Sequence, residues 1–303
     1  SILAMRVGFL TFDLLALVFI VLTLGALGKS RNYCLIYFWS PLVIKETFNS
    51  THLDIIGISF LCVSVYWLVR QRFFPATFFL TLSVLGKLYP VILLPIYLKQ
   101  ILLKKAPDGK LAWNKALQQF GLFAGLIILF YSPFIKIGGD AFEGLRTYST
   151  YWQSNDSIFS LLVYFYGTVL GFSSESEVLF SYDLPSLLGK ITVMAVLGST
   201  LIYLLYRETK SCLHDIFLIM TLVFILSPVQ NPWYLCWVVP FLCFFKWRSL
   251  VLLTGLVGLY YMEFYLDYQD LNEYLPWLPW IEYTPFYLLL AWEIRQKSKG
   301  SEK

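Results

Sequence analysis

Charge is what this chain has least of. Only 14% of its 303 residues are charged, against 58% hydrophobic and 19% aromatic, whereas soluble domains carry about 25% charged residues. Water therefore cannot be the solvent for most of this surface. Histidine is nearly missing, with two residues, and the five cysteines (Cys34, Cys62, Cys212, Cys236, Cys243) all lie in apolar stretches without metal-ligand spacing. That pattern excludes a disulfide framework and a zinc module, and no metal ligands are assigned. There is no Gly-rich phosphate loop, internal repeat, low-complexity tract or basic nucleic-acid patch, so nucleotide and nucleic-acid partners are excluded.

What is present is a series of long apolar segments. A helix needs about 20 apolar residues to cross a bilayer, or fewer when it is broken or anchored. On that basis about eleven crossings are expected, near 5–28, 34–48, 52–70, 73–87, 89–99, 112–131, 190–206, 212–228, 231–246, 249–266 and 280–294. The short pair meeting at Lys87-Leu88-Tyr89-Pro90 reads equally as one kinked helix. The expected fold is all-α, a polytopic helical bundle forming a single transmembrane domain over 1–303. An external loop region, 135–189, holds a re-entrant or interfacial helix at Ile158 to Phe172.

Basic residues fall on alternate loops. Lys29, Arg31, Arg70, Arg72, Lys99, Lys104, Lys105, Lys110, Lys115, Arg207, Lys210, Lys246, Arg248 and the tail from Arg295 to Lys303 place 17 of the 23 Lys and Arg on one side. Asp140, Glu143, Asp156, Glu175, Glu177, Asp183, Asp267, Asp270 and Glu273 fall on the other. The positive-inside rule makes the basic side and the C-terminus cytoplasmic, in a cell membrane.

Charges near hydrocarbon are costly and point to function. Lys45, Glu46, His52 and Asp54 gather at the external ends of two adjacent helices, although Lys45 and Glu46 also read as a pair snorkelling to the interface. Asn49-Ser50-Thr51 matches a glycosylation sequon, but a tight loop at the membrane surface is a poor acceptor. Lys87, ahead of Tyr89 and the helix-breaking Pro90, suits a lipid phosphate or an interfacial anchor. Arg146, Tyr148, Tyr151, Trp152, Asn155 and Asp156 suit sugar rings and a phosphate, or an ordinary aromatic belt. Ser227 to Tyr234 places Gln230, Asn231, Trp233 and Tyr234 at a proline-broken external junction, tolerated where the backbone lines a cavity. Asp13 reads as a helix-to-helix hydrogen bond, and His214-Asp215 as an interfacial cap.

Three segments carry a resemblance: Trp39-Ser-Pro41 with Glu46 and Asn49-Ser-Thr-His52-Leu-Asp54, then Lys87-Leu-Tyr-Pro90, then Asn231-Pro-Trp-Tyr234. In order and placement they resemble the GT-C glycosyltransferases that use polyprenyl-phosphate sugars, in particular the glycosyltransferase family 87 type of bacterial mannosyltransferase. Ser40 and Thr51 depart from the Asn and Gly usual there. The resemblance implies a hexosyltransferase that moves a sugar, mannose by analogy, from a polyprenyl-phosphate donor to a glycolipid or glycan acceptor at the extracytoplasmic face. No cofactor is assigned, and a divalent metal is left open. In that reading Glu46, His52 and Asp54 are catalytic, and Lys45, Lys87, Tyr89, Arg146, Tyr151, Trp152, Asn155, Asn231, Trp233 and Tyr234 bind substrate. The family's catalytic carboxylate stands on a first external loop that has no counterpart ahead of Arg6, so either a natural N-terminal helix and loop lie upstream or this chain departs from the family there. The rivals are a glycolipid transporter or flippase, which would place charge near the midplane between two related halves, and a non-catalytic assembly scaffold.

Overall fold

The computed structural model describes residues 2–104, 111–172, 183–208 and 211–301. Lys105, Lys110, Glu175, Glu177, Lys210 and Lys303, named above for their charge, lie outside the described residues. Among the described residues the regular structure is helical, apart from one isolated bridge between Ser154 and Val229. The main helices are α1 (Ile2–Ala26), α2 (Asp54–Val69), α3 (Phe73–Gly86), α4 (Leu94–Leu103), α5 (Trp113–Tyr131), α6 (Glu143–Tyr151), α7 (Ile158–Tyr164), α8 (Leu184–Tyr206), α9 (Cys212–Leu226), α10 (Arg248–Leu256), α11 (Met262–Tyr268) and α12 (Leu278–Ser301).

Four helical stretches are long and apolar enough to cross a membrane by themselves: Ile2–Ala26, Trp113–Lys136, Leu184–Tyr206 and Arg248–Tyr268. Of the roughly eleven expected crossings, the others fall on shorter apolar helices or on broken segments. At 1.5 Å per residue α2 and α3 rise about 24 and 21 Å, short of the roughly 30 Å of hydrocarbon. Their surroundings explain how they can be short. Eleven of the sixteen α2 residues are buried, so protein rather than lipid surrounds them. In α5 only Ala116 and Phe123 are buried, and its apolar remainder faces outward. Two other expected spans are not single helices. Residues 34–48 break into Leu35–Phe38, Pro41–Ile44 and a wide turn at Lys45–Asn49, and residues 231–246 break into Pro232–Leu235 and Val239–Leu242. Pro41, Pro232 and Pro240 each remove an amide donor at the first turn of a piece, which restarts rather than continues the helix.

The Lys87 to Pro90 segment is a break between helices. Lys87 ends α3 with extended backbone (φ −160°, ψ 135°), and a tight turn at Tyr89–Leu93 leads into α4. The region expected to be re-entrant is α7, continued by a wide turn at Phe165–Val169. It lies against α8, where a β-carbon at Gly189 would sit 3.1 Å from the Phe159 ring. Inside the bundle the Tyr37 hydroxyl donates to Asp13 at 2.7 Å, the inter-segment hydrogen bond expected for that aspartate. Asp215 pairs with Arg207, and His214 meets the edge of Phe245.

Candidate active site

The site assembles at the end of the bundle where α2 begins and α3 stops. Asp54 is the first residue of α2 and is 9% exposed. One of its oxygens accepts from the Lys87 ammonium at 2.6 Å and from the Trp237 indole at 2.6 Å. Gly57, one turn on along the same face, makes this possible. A β-carbon there would lie 2.5 Å from the Trp237 ring, and the Gly57 carbonyl accepts from Ser83 at 2.7 Å, drawing α3 close. Lys87 also sits 3.8 Å over the face of Tyr234. The Tyr234 hydroxyl accepts from Tyr148 at 3.0 Å, and Tyr89 lies against both Tyr234 and Trp237. The Tyr89 hydroxyl is buried without a hydrogen-bond partner.

A second charged group abuts the first. Glu46, 2% exposed, accepts from the Tyr261 hydroxyl at 2.9 Å on both oxygens, with Lys45 and His52 each at 3.4 Å. Lys45 is held 3.0 Å over the Tyr261 ring and donates to Ser50. The His52 ring stacks on Trp233, with centroids 4.1 Å apart and planes at 20°. Burial pushes the imidazole below the ordinary histidine value of 6.5, and the carboxylates of Glu46 and Asp54 oppose that shift while Lys87 and Lys45 add to it. His52 thus links the two groups: Trp233 neighbours Tyr234 in sequence and in space.

The loop after α6 is stitched to the proline junction by its backbone. Ser154 N–H donates to Pro228 O at 3.0 Å and Gln230 N–H donates back to Ser154 O at 2.9 Å. The Ser154 hydroxyl reaches Asn231 at 2.9 Å. Asn155 takes the left-handed conformation (φ 49°), which asparagine tolerates, and its amide donates to Gln230 O and to buried Glu282 at 3.0 Å. Asp156 is buried and accepts from the Ser160 amide at 2.6 Å, and burial raises its carboxyl above the usual range.

Of the residues singled out in sequence, Lys45, Glu46, His52, Asp54, Lys87, Tyr89, Trp233 and Tyr234 form one contiguous set. Asn155 and Asn231 join it through the stitched loop. Arg146, Tyr151 and Trp152 do not join it closely. Tyr151 and Trp152 are 66% and 50% exposed, and Arg146 is exposed two residues before Tyr148. At about 100° per residue Arg146 points away from the α6 face that meets Tyr234. Sequence reasoning missed Trp237, Tyr261 and Glu282. Trp237 stands one turn after Tyr234, the only hint available. Glu282 stands as a charge inside an expected span, a signal left unread, whereas Tyr261 has no distinguishing signal in so aromatic a chain. No group of three potential metal-ligating side chains occurs among the described residues.

Comparison with known families points to a class for this bundle with a charged, aromatic-walled centre at one end, that of glycosyltransferase-like membrane proteins of GT-C type. More particularly, a family model described as GPI transamidase subunit PIG-U matches residues 7–175, more than half of the chain, which belongs to that family. A model described as the MptB C-terminal domain matches residues 158–282. Asp54 and Lys87 fall in the first match, Tyr234 and Trp237 in the second. No curated protein and no solved structure matches the chain.

Proposed function

We propose that this protein is a membrane glycosyltransferase that moves a hexose, with mannose as first choice, from a polyprenyl-phosphate donor to a lipid-linked or polysaccharide acceptor. The observation that carries this reading is the Lys87 ammonium, held between the Asp54 carboxylate and the Tyr234 face at the mouth of the bundle. A fixed cation there suits the charge that develops on a departing lipid phosphate. In the reaction the acceptor oxygen bonds to the anomeric carbon as the bond from that carbon to the phosphate oxygen breaks. The electron pair leaves with the phosphate beside Lys87, and the acceptor proton passes to a base. His52, with Glu46 beside it, is the group assigned to take that proton. Asp54 positions Lys87 and Trp237, while Trp233, Asn231 and Asn155 face the sugar or acceptor. The segregation of basic residues favours a site on the extracytoplasmic side of the cell membrane and a cytoplasmic C-terminus. The family 87 subtype rests on the three sequence segments.

The test is transfer from radiolabelled polyprenyl-phosphate mannose by the purified chain. Lys87→Met is expected to lower the rate about 100-fold or more, as loss of one transition-state charge contact does. Wild-type rates in Lys87→Met and His52→Gln would overturn the assignment. The PIG-U match over residues 7–175 favours a second reading, a subunit of a GPI transamidase-type assembly. That reading predicts no transfer by the isolated chain and binding of a glycolipid that the same variants abolish.

A further inference from the structure

At the opposite end of the bundle four separate chain segments surround one cavity of about 550 Å³, three of them bringing a lysine and the fourth His214. Lys29 follows α1, His214 lies on α9, Lys246 precedes α10 and Lys297 is on α12. Among the described residues, no carboxylate lines this cavity. The ammonium groups are steadied by neutral partners: Lys29 donates to the Phe244 carbonyl at 2.5 Å, Lys246 sits 4.5 Å over Tyr33, and Lys297 sits 3.2 Å over Trp247. Aromatic faces and carbonyls fix these cations without cancelling their charge. Of the nearby acids, Glu293 lies one turn before Lys297 and is felt by it electrostatically, but its oxygens are taken up by other donors. Glu293 accepts from the Arg248 and Ser249 amides and the Ser249 hydroxyl, and Asp215 pairs with Arg207. A neighbouring cavity of about 520 Å³ shares His214 and Phe245 and adds Arg207 and Glu208.

We infer that this cavity binds the phosphate headgroup of an anionic membrane lipid, with Lys29, Lys246 and Lys297 around the phosphate and Trp247, Tyr33 and Phe245 against the apolar part below it. Three ammonium groups converging without a carboxylate match a phosphodiester anion. Their setting among exposed apolar helices supplies it from the bilayer, where basic pockets between helices take such headgroups. The inference is independent of the transfer chemistry at the other end.

The experiment measures retention of phosphatidylglycerol and of phosphatidylcholine by the purified full chain, using native mass spectrometry. Wild type, Lys246→Gln/Lys297→Gln and a charge-matched control, Arg295→Gln/Lys299→Gln, are compared. All four side chains are exposed, so the variants are expected to melt as wild type does. The wild type and control should prefer phosphatidylglycerol. The lysine pair variant should bind it about 25-fold more weakly, each lysine contributing about fivefold. Equal retention of the two lipids, or equal loss in the control, would overturn the site. Complete displacement by millimolar inorganic phosphate would assign the cavity to a soluble anion and overturn the lipid.

Discussion

Glu46 shows how much a single hydroxyl can decide. Both its oxygens accept from Tyr261 in a nearly sealed position. Tyr261→Phe is therefore expected to lower stability by about 1–3 kcal/mol, the cost of leaving a buried polar group short of a partner, read as a lower melting midpoint in detergent. His52 gives the site a pH signature. Its folded pKa lies below 6.5, so below that pH the unfolded chain takes up a proton that the folded chain resists. Stability is then lost as pH falls through 6.5 toward the folded value and is unaffected above it. Melting midpoints between pH 7.5 and 5 should drop less in His52→Gln than in wild type, and identical slopes would refute the assignment. The type and spacing of Glu46, His52, Asp54 and Lys87 were visible in sequence because charge stands out against an apolar background. Tyr261 was not, because one tyrosine among 21 reveals its partner only when α10 and α11 are folded over the Lys45–Asn49 turn.

Helices α2 and α3 meet through glycine and serine rather than through large side chains. Gly57 faces Trp237 and Gly86, and Ser83 ties the two helices at the Gly57 carbonyl. Gly57→Ala should cost about 1–3 kcal/mol by overpacking and should quench transfer by pushing the Trp237 indole off Asp54. Wild-type melting and activity in this variant would contradict the close approach. Lys99 performs the matching task at the far end, donating to the Leu204 and Arg207 carbonyls at 2.6 and 2.7 Å. Lys99→Met should destabilise by about 1–3 kcal/mol by stranding those acceptors, with transfer by the surviving folded protein unchanged. Apolar runs disclosed the helices but not where they break. Hydropathy scores Pro41-Leu-Val-Ile44 and Val239-Pro-Phe-Leu242 as span-like, whereas their prolines break the helix, and Leu42, Val43 and the whole of Val239–Leu242 are buried in the protein interior.

Across the whole molecule, charge is sorted by end. Asp54, Glu46 and Lys87 gather where α2 starts. Lys29, Lys99, Arg207 and Lys246 gather where α1, α4 and α8 finish, joined by the Lys29 to Phe244 and Lys99 to Arg207 contacts. An epitope inserted in α6 and one following α12 should therefore be accessible from opposite sides of sealed vesicles, and access from one side would contradict the bundle's polarity. The alternation of basic loops made this sorting legible in advance. The attachment of the loop after α6 was not, because it depends on amides and carbonyls that every sequence possesses. That attachment has an evolutionary consequence. Since Ser154 and residues 228–230 are joined chiefly main chain to main chain, neighbouring side chains such as Tyr151 and Trp152 can drift without unmooring the segment. On the proposed transferase reading, new acceptor preferences can thus be tried out while the Asp54–Lys87 centre stays put.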